Sequence, residues 1–322
     1  MLQQTTVAAV ARRFDAFVCE FPNVGALAAA DEQQVLRAWE GLGYYRRARD
    51  LHAAARHLVD HHQGAIPNEP AKFAELPGIG RYMLGAVLSQ AFDRKLPIVE
   101  ANTKRLLCRL FGHEGDLDSA ATQRWLWETA EAILPVRRVG DFNQALMELG
   151  AIICTVRNPN CRICPLRNQC KAFQAGKQEV IPARRSRPQP VPVRELCIVF
   201  RRRGRVLLMR RPGTGRGANM WEFPRVVLKK GESLPAAKRR LTSDLGLTAK
   251  VGQTLATISY SVTRFRMTMT CIEASTSDTQ FNSDYYEEGR WLRTNELADY
   301  PVSSSQRKLA RILAGHQAAI TE

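Results

Sequence analysis

Acidic side chains are in short supply in this sequence: 31 aspartates and glutamates stand against 47 lysines and arginines, a formal net charge of +16 at pH 7. The deficit favours a polyanionic partner, most simply nucleic acid, with a basic solubility surface as the alternative. No apolar run approaches the ~20 residues that cross a bilayer, and the polar start MLQQTT lacks the basic and apolar regions of a secretory leader. A cytoplasmic protein is expected. Internal repeats are also missing, which removes solenoids and propellers. At 322 residues, 45% hydrophobic and 24% charged, the chain suits about two domains, each able to bury a core without staples.

Two different patterns occupy the two halves. Apolar residues at Val7, Val10, Phe14, Phe17, Val18 and Phe21 predict an amphipathic helix running from almost the first residue, with no cap before it. RAWEGLGYYRRARDLHAAARHLV, RYMLGAVLSQAF, NTKRLLCRLFG, TQRWLWETAEAIL and DFNQALMELGAIIC continue the helical spacing, so residues 1–180 read as an all-α domain. In IPARRSRPQPVPV, residues 181–193, proline and charge replace periodicity, which predicts an extended linker. Residues 194–322 read as α+β. ELCIVFRRRGRVLLMRR gives two strands around an Arg-Gly turn, ATISYSVTRFRMTMTCIEA gives more strand, and LPAAKRRLTSDLGL and SSQRKLARILAG give helices.

Four of the eight cysteines lie in CTVRNPNCRICPLRNQC, where Cys154, Cys161, Cys164 and Cys170 are spaced C-x6-C-x2-C-x5-C. Thiolates this close in a reducing compartment point to metal ligation rather than disulfides, and four cysteines suit either zinc or an iron-sulfur cluster. The loop carries Arg157, Arg162, Arg167 and Lys171 and no acid, a basic surface suited to phosphates. Cys19, Cys108, Cys197 and Cys271 stand singly and are expected to be buried hydrophobes.

The segment LPGIGRYMLGA places Leu76, Gly78, Gly80 and Arg81 in a glycine-rich turn before a helix. Such a turn leaves backbone N–H groups bare, a seat for a phosphate, although it could also serve only as a connection between helices. Twenty residues past Gly80 comes LPIVEANTKRLL, with Glu100, Asn102 and Lys104. This arrangement resembles the helix-hairpin-helix DNA glycosylases of the endonuclease III superfamily. The resemblance runs over essentially the whole chain and is closest to the MutY-type adenine glycosylases, through LQQT, GLGYYRRARDLH, FNQALMELGAIICT and the cysteine loop.

The resemblance implies a [4Fe-4S] cluster on Cys154, Cys161, Cys164 and Cys170, and a catalytic carboxylate at position 100, where the family has Asp and this chain Glu100. Tyr82 stands where bifunctional relatives place a Schiff-base lysine, so a monofunctional glycosylase is implied, with Tyr82 assisting the carboxylate. Gln3, Gln4 and Tyr44 are implied to face DNA, Gln4 and Tyr44 as wedges that fill the gap left by an extruded base. For Tyr44 and Tyr45, core packing is the alternative. The implied partner is duplex DNA with adenine opposite 8-oxoguanine or guanine, bound by a monomer associated with the nucleoid.

Adenine leaves poorly as an anion, so an acid must protonate it while an ionised carboxylate faces the cationic sugar, as in glycosidases. The family's acid would sit two residues before Met1. The expectation is that the chain as given excises adenine poorly, either because its natural start lies upstream or because it has become a non-catalytic DNA-binding protein on the same scaffold. In the second half, GESLPAAKRRLTSDLGL overlays a Nudix box from Gly231 to Gly246, but Ser243 and Asp244 occupy positions of metal-binding glutamates, which argues against pyrophosphohydrolase activity. By overlay, Val262, Thr263 and Arg264 replace the family's lesion-reading turn. Arg264 either donates hydrogen bonds there or is an outward strand residue. WEFP, residues 221–224, is expected to pack.

Overall fold

In the computed structural model, residues 1–183 and 189–318 are described. The chain divides into two compact units, one of Met1–Val59 together with the chain from Pro188 onward, the other Asp60–Arg187. The sequence places residues 1–180 in one domain, whereas the structure joins the first helices to the second half of the chain. Of the linker expected over 181–193, Ile181 is buried in a core, Val191 already opens a strand, and residues 184–188 lie outside the described residues. No described helix is long and apolar enough to cross a membrane.

The first unit opens with α1 (Val7–Glu20), α2 (Val24–Ala29), α3 (Glu32–Ala38) and α4 (Arg46–His62). The expectation of an uncapped helix at the chain start is corrected: Thr6 is the N-cap, its hydroxyl accepting from Ala9 N–H. The MLQQ segment before it is a turn, with Gln4 at φ 51. The apolar residues of α1 form two parallel stripes. Val10, Phe17 and Phe21 are buried, whereas Val7, Phe14 and Val18 are exposed. The buried stripe packs with Val35, Leu36, Trp39 and Leu42, and the same core takes in Met220 from the second half of the chain. Polar contacts repeat that connection. Trp221 Nε1 donates to Gln33 at 2.9 Å, and Arg307 clamps Glu40 through two bonds of 2.7 Å. These contacts are the physical reason the boundary shifts.

The second unit holds α5 (Pro70–Ala74), α6 (Arg81–Phe92), α7 (Ala101–Phe111), α8 (Ala120–Ala132), α9 (Val139–Glu148) and α10 (Lys171–Gln174). Asp93 ends α6 in the left-handed region, and its carboxylate accepts from the N–H groups of Arg138 and Gly140 at the start of α9. Gly140 lets those helices close: a Cβ there would lie 2.6 Å from Ser89 O. At its far end α9 widens into a π turn, Leu149–Ile153, which delivers the chain to Cys154. Val99, Leu107, Cys108, Leu126, Ala130, Ala172 and Ile181 form the core.

The rest of the first unit is a mixed sheet of β1 (Val191–Arg202), β2 (Arg205–Arg210), β3 (Trp221–Glu222), β4 (Arg225–Val227), β5 (Lys250–Val262), β6 (Phe265–Ser275) and β7 (Glu288–Leu292). The order is β3-β2-β1-β6-β5, with β4 on β1 and β7 on β2; β1 and β6 pair in parallel, and the other described strand pairs are antiparallel. The predicted Arg-Gly turn is Arg203-Gly204, both at positive φ, which suits a two-residue hairpin. Alternation along β1 separates two cores. Leu196, Ile198 and Phe200 face α11 (Leu234–Asp244), and Cys197 and Val199 face α12 (Ser304–Ala318). Trp221 and Phe223 are buried, as packing of WEFP requires. Cys108, Cys197 and Cys271 are buried as expected. Cys19 is not: it lies exposed on α1, off the stripe that packs.

Candidate functional site

In the second unit, α5 and α6 are joined by Glu75-Leu76-Pro77-Gly78-Ile79-Gly80. Gly78 holds φ 78, and Ile79 N–H closes the turn on Leu76 O at 3.2 Å. Gly80 is the N-cap of α6 and no side chain caps it. The first N–H groups of this twelve-residue helix therefore point outward beside exposed Gly78 and Gly80, a geometry that receives an anion. Of the two side chains expected to face DNA here, Leu76 departs from that expectation, while Arg81 is exposed. Leu76 is buried in the core, and Arg81 lies over the Trp127 ring, 3.9 Å from its centroid.

Glu100 is the N-cap of α7. Its Oε1 accepts from Thr103 N–H at 2.9 Å, while Thr103 Oγ1 receives Glu100 N–H at 2.8 Å, a reciprocal capping box. Among the described residues no donor engages Oε2, which leaves one carboxylate oxygen for a ligand. Three close fits hold the approach to Glu100. Gly85 on α6 lies against Pro97, where a Cβ would stand 2.2 Å from the carbonyl oxygen. Buried Asn143 on α9 donates to Leu96 O and Ser89 Oγ, both at 2.9 Å. Ile98 and Val99 are buried. Tyr82, the second residue of α6, is near enough that the Glu100 charge, after burial, pushes its phenol pKa up; its hydroxyl lies 3.6 Å from Met147 Sδ.

The four clustered cysteines line one small pocket with Leu106, Arg109 and Phe173. Among the described residues no group of three or more Cys, His, Asp or Glu side chains is placed to hold a metal ion. The thiols nevertheless sense one another: burial first, then Cys154, Cys170 and Cys164, raise the Cys161 pKa, and Cys164 is raised by burial and by Cys154 and Cys170. Raised pKa values hold Cys161 and Cys164 as neutral thiols unless a bound cation favours their thiolates.

Two arginines that motif reading missed organise this region. Arg109, 1% exposed, donates to Cys154 Sγ at 3.3 Å and to the carbonyls of Cys154, Thr155, Val156 and Ile181. Arg105 donates to Cys154 O at 2.7 Å, to Gly150 O and to Asn102 Oδ1 at 3.0 Å, so it links the cysteine loop to the first turn of α7. Gly150 permits the approach, since a Cβ there would stand 2.8 Å from Asn102 Cβ. The available signal was two arginines spaced i, i+4 beside Leu106 and Cys108 on a helix that otherwise buries that side.

In the first unit, Gln4 and Tyr44 share an unusual backbone, with φ 51 and φ 47. A non-glycine residue held there costs roughly 1–2 kcal/mol, so the surroundings must enforce it. Gln4 is exposed, Gln3 half-buried, and Tyr44 is 53% exposed. Tyr45 is the packing residue of the pair: its hydroxyl donates to Val302 O at 3.3 Å, and burial followed by the Glu40 charge raises its pKa to about 12. Arg264 lies in the two-residue β5–β6 turn with Thr263, φ 51, and covers the Phe265 ring. It is at a hairpin tip rather than within a strand. Ser243 and Asp244 are exposed at the end of α11.

A glycine turn opening a helix, followed by a capped carboxylate and joined in one chain to a mixed sheet, fits a DNA glycosylase of base excision repair. The profile of the HhH-GPD superfamily of base excision DNA repair proteins matches residues 1–132, and that of the NUDIX domain matches residues 196–311. The human adenine DNA glycosylase is 30% identical over 98% of this chain and 67% of its own length, and the mouse adenine DNA glycosylase is 30% identical over 98% and 70%. The adenine DNA glycosylase of Schizosaccharomyces pombe is 40% identical over 56% of this chain and 39% of its own. The chain belongs to the adenine DNA glycosylase family.

Proposed function

We propose that this glycosylase removes adenine from mispairs with 8-oxoguanine or guanine in duplex DNA, as a monofunctional monomer, with Glu100 as the carboxylate that faces the sugar. The observation that carries the reading is the pairing of Glu100, one oxygen fixed by the capping box and the other free of donors, with Tyr82 beside it. An ionised carboxylate stabilises the oxocarbenium-like sugar as the glycosidic bond breaks; water adds to C1′ and gives up a proton, and a proton from solvent neutralises the departing adenine. A tyrosine at position 82 offers no amine for a Schiff base, so the reaction stops at the abasic site. Glu100 is one methylene longer than the family's Asp; a misplacement of about 1 Å can cost on the order of 100-fold in rate. Slow excision is the expected consequence.

Cys154, Cys161, Cys164 and Cys170 would hold a [4Fe-4S] cluster, a group that brings positive iron to thiolates and braces the loop structurally. Two features support the fit. All four cysteines line one pocket, and buried Arg109 donates to Cys154 Sγ with no carboxylate partner among the described residues. Arg157, Arg162 and Arg167 then present a basic surface to DNA. Gln4 and Tyr44 would enter the duplex when the base is extruded, and Arg264 would contact the modified purine or a phosphate from its hairpin tip.

Alkali-revealed strand cleavage of a duplex with adenine opposite 8-oxoguanine tests the assignment. Excision is expected to be abolished in Glu100→Gln, accelerated in Glu100→Asp, and to give no borohydride-trapped adduct. Tight binding with no cleavage by either the parent or Glu100→Asp would identify a non-catalytic damage-binding protein instead.

A further inference from the structure

We infer that Arg47 is a positioning residue that sets Gln4 and Tyr44 as one two-pronged wedge. The inference rests on the reading that both side chains enter the duplex. Its basis is where the guanidinium bonds. Nη1 donates to Gln3 O and to Met1 O, the latter at 2.9 Å. Nη2 donates to Gly43 O and Leu42 O, both at 3.2 Å, and to Thr5 Oγ1 at 2.7 Å. Gln3 O and Gly43 O belong to the peptide groups immediately preceding Gln4 and Tyr44, the two residues in the left-handed region. One planar fork therefore fixes the peptide plane before each strained residue and ties two segments some forty residues apart in sequence.

The remaining contacts close the same cage. Trp39 Nε1 donates to Gly43 O at 3.1 Å, Thr5 Oγ1 lies within hydrogen-bond reach of Gln3 O and Leu42 O, and the guanidinium sits 5.4 Å from the Trp39 ring centroid and 5.6 Å from that of Tyr44. Arg46, its neighbour, has a side chain 84% exposed, with Asp50 as its partner among the described residues. It supplies a matched charge control. Lysine cannot replace Arg47, because one ammonium cannot reach acceptors on both segments with a fork's geometry.

The test reads base extrusion by the fluorescence of 2-aminopurine placed opposite 8-oxoguanine, with duplex affinity measured in parallel at fixed salt. Arg47→Lys and Arg47→Met are expected to lose about 10-fold in extrusion while affinity for undamaged duplex changes less than about threefold, and Arg46→Met is expected to match the parent. In a Gln4→Ala, Tyr44→Ala background, Arg47→Lys should cost nothing further, since its effect passes through those side chains. Parent-like extrusion by Arg47→Lys, or a loss that adds in full to that of the double variant, overturns the proposal while the wedge reading stands. Parent-like extrusion by the double variant itself removes the wedge reading. If Arg47 variants do not fold, Thr5→Val decides: it deletes one strut of the cage and should give an intermediate loss of extrusion, whereas unchanged extrusion overturns the proposal.

Discussion

Replacing Gly85 by alanine is the sharpest probe of how the scaffold holds Glu100. On helix propensity alone the change should stabilise α6 by ~1 kcal/mol. Packing opposes it. The added Cβ would stand 2.2 Å from Pro97 O and 3.2 Å from Pro97 C, both backbone atoms of the segment that leads to Glu100. Reaching an ordinary contact requires the two backbones to separate by about 1 Å or more. The segment has little room to yield, because Ile98 and Val99 are buried and Asn143 holds Leu96 O. Overpacking of this kind costs about 1–3 kcal/mol, with backbone contacts at the upper end, so the clash outweighs propensity. Net destabilisation of roughly 1–2 kcal/mol is expected, readable by urea unfolding. Glu100 is three residues beyond the clash, so single-turnover excision should fall by up to about 100-fold, with duplex affinity nearly unchanged. A Gly85→Ala protein as stable as the parent and equally fast would refute the claim that this contact sets the carboxylate's position.

Other outcomes follow from other contacts. Arg109→Leu strips the donor from several buried carbonyls at once and removes the cation beside Cys154; a loss of about 3 kcal/mol or more is expected, together with a fall in iron and sulfide per chain by chemical analysis. Arg225→Met should cost about 3 kcal/mol, because buried Glu195, 2.8 Å from that guanidinium, would keep the Tyr260 hydroxyl but no cation among the described residues, whereas Glu222 retains Arg211. Glu232 is held at a pKa of about 2, first by its hydrogen bonds from Arg240 and then by Lys229 N–H. A depressed carboxylate stabilises above its unfolded pKa and loses that contribution as pH falls through the folded value, so this part of the stability should disappear between about pH 4.5 and pH 2. Glu232→Gln should flatten the unfolding profile in that window.

Several of these features were legible in the sequence and several were not. The helical spacing of RYMLGAVLSQAF and NTKRLLCRLFG became α6 and α7, and the alternation of ELCIVF became the two-faced β1, because both patterns report which side is buried. The cysteine spacing pointed to a shared centre, and the structure places all four around one cavity. Capping was underestimated. Thr6 and Glu100 both cap helices, and at Glu100 the capping box and the proposed chemical group are the same side chain. Leu76 was assigned to DNA through neighbouring glycines, yet it lies in the core, whereas Arg81 is exposed over the Trp127 ring. Arg47, Arg105 and Arg109 escaped notice because a basic chain hides a buried cation among its exposed ones. Only their acceptors distinguish them, and those are backbone carbonyls from distant segments that no local motif announces.

The bidentate bond from Arg307 to Glu40 spans 267 residues. At ribosomal speeds of about 5–20 residues per second, the first helices would wait roughly 15–50 s for that partner. Until Met220 and Arg307 emerge, the stripe carrying Val10, Phe17 and Trp39 lacks its lid. Meanwhile Asp60–Arg187 emerges complete and can close its own core. The order of maturation is thus the reverse of what chain position suggests. The middle finishes first, and the amino-terminal helices, though oldest, finish last, so a nascent chain would depend on holdase protection of its earliest segment rather than its latest.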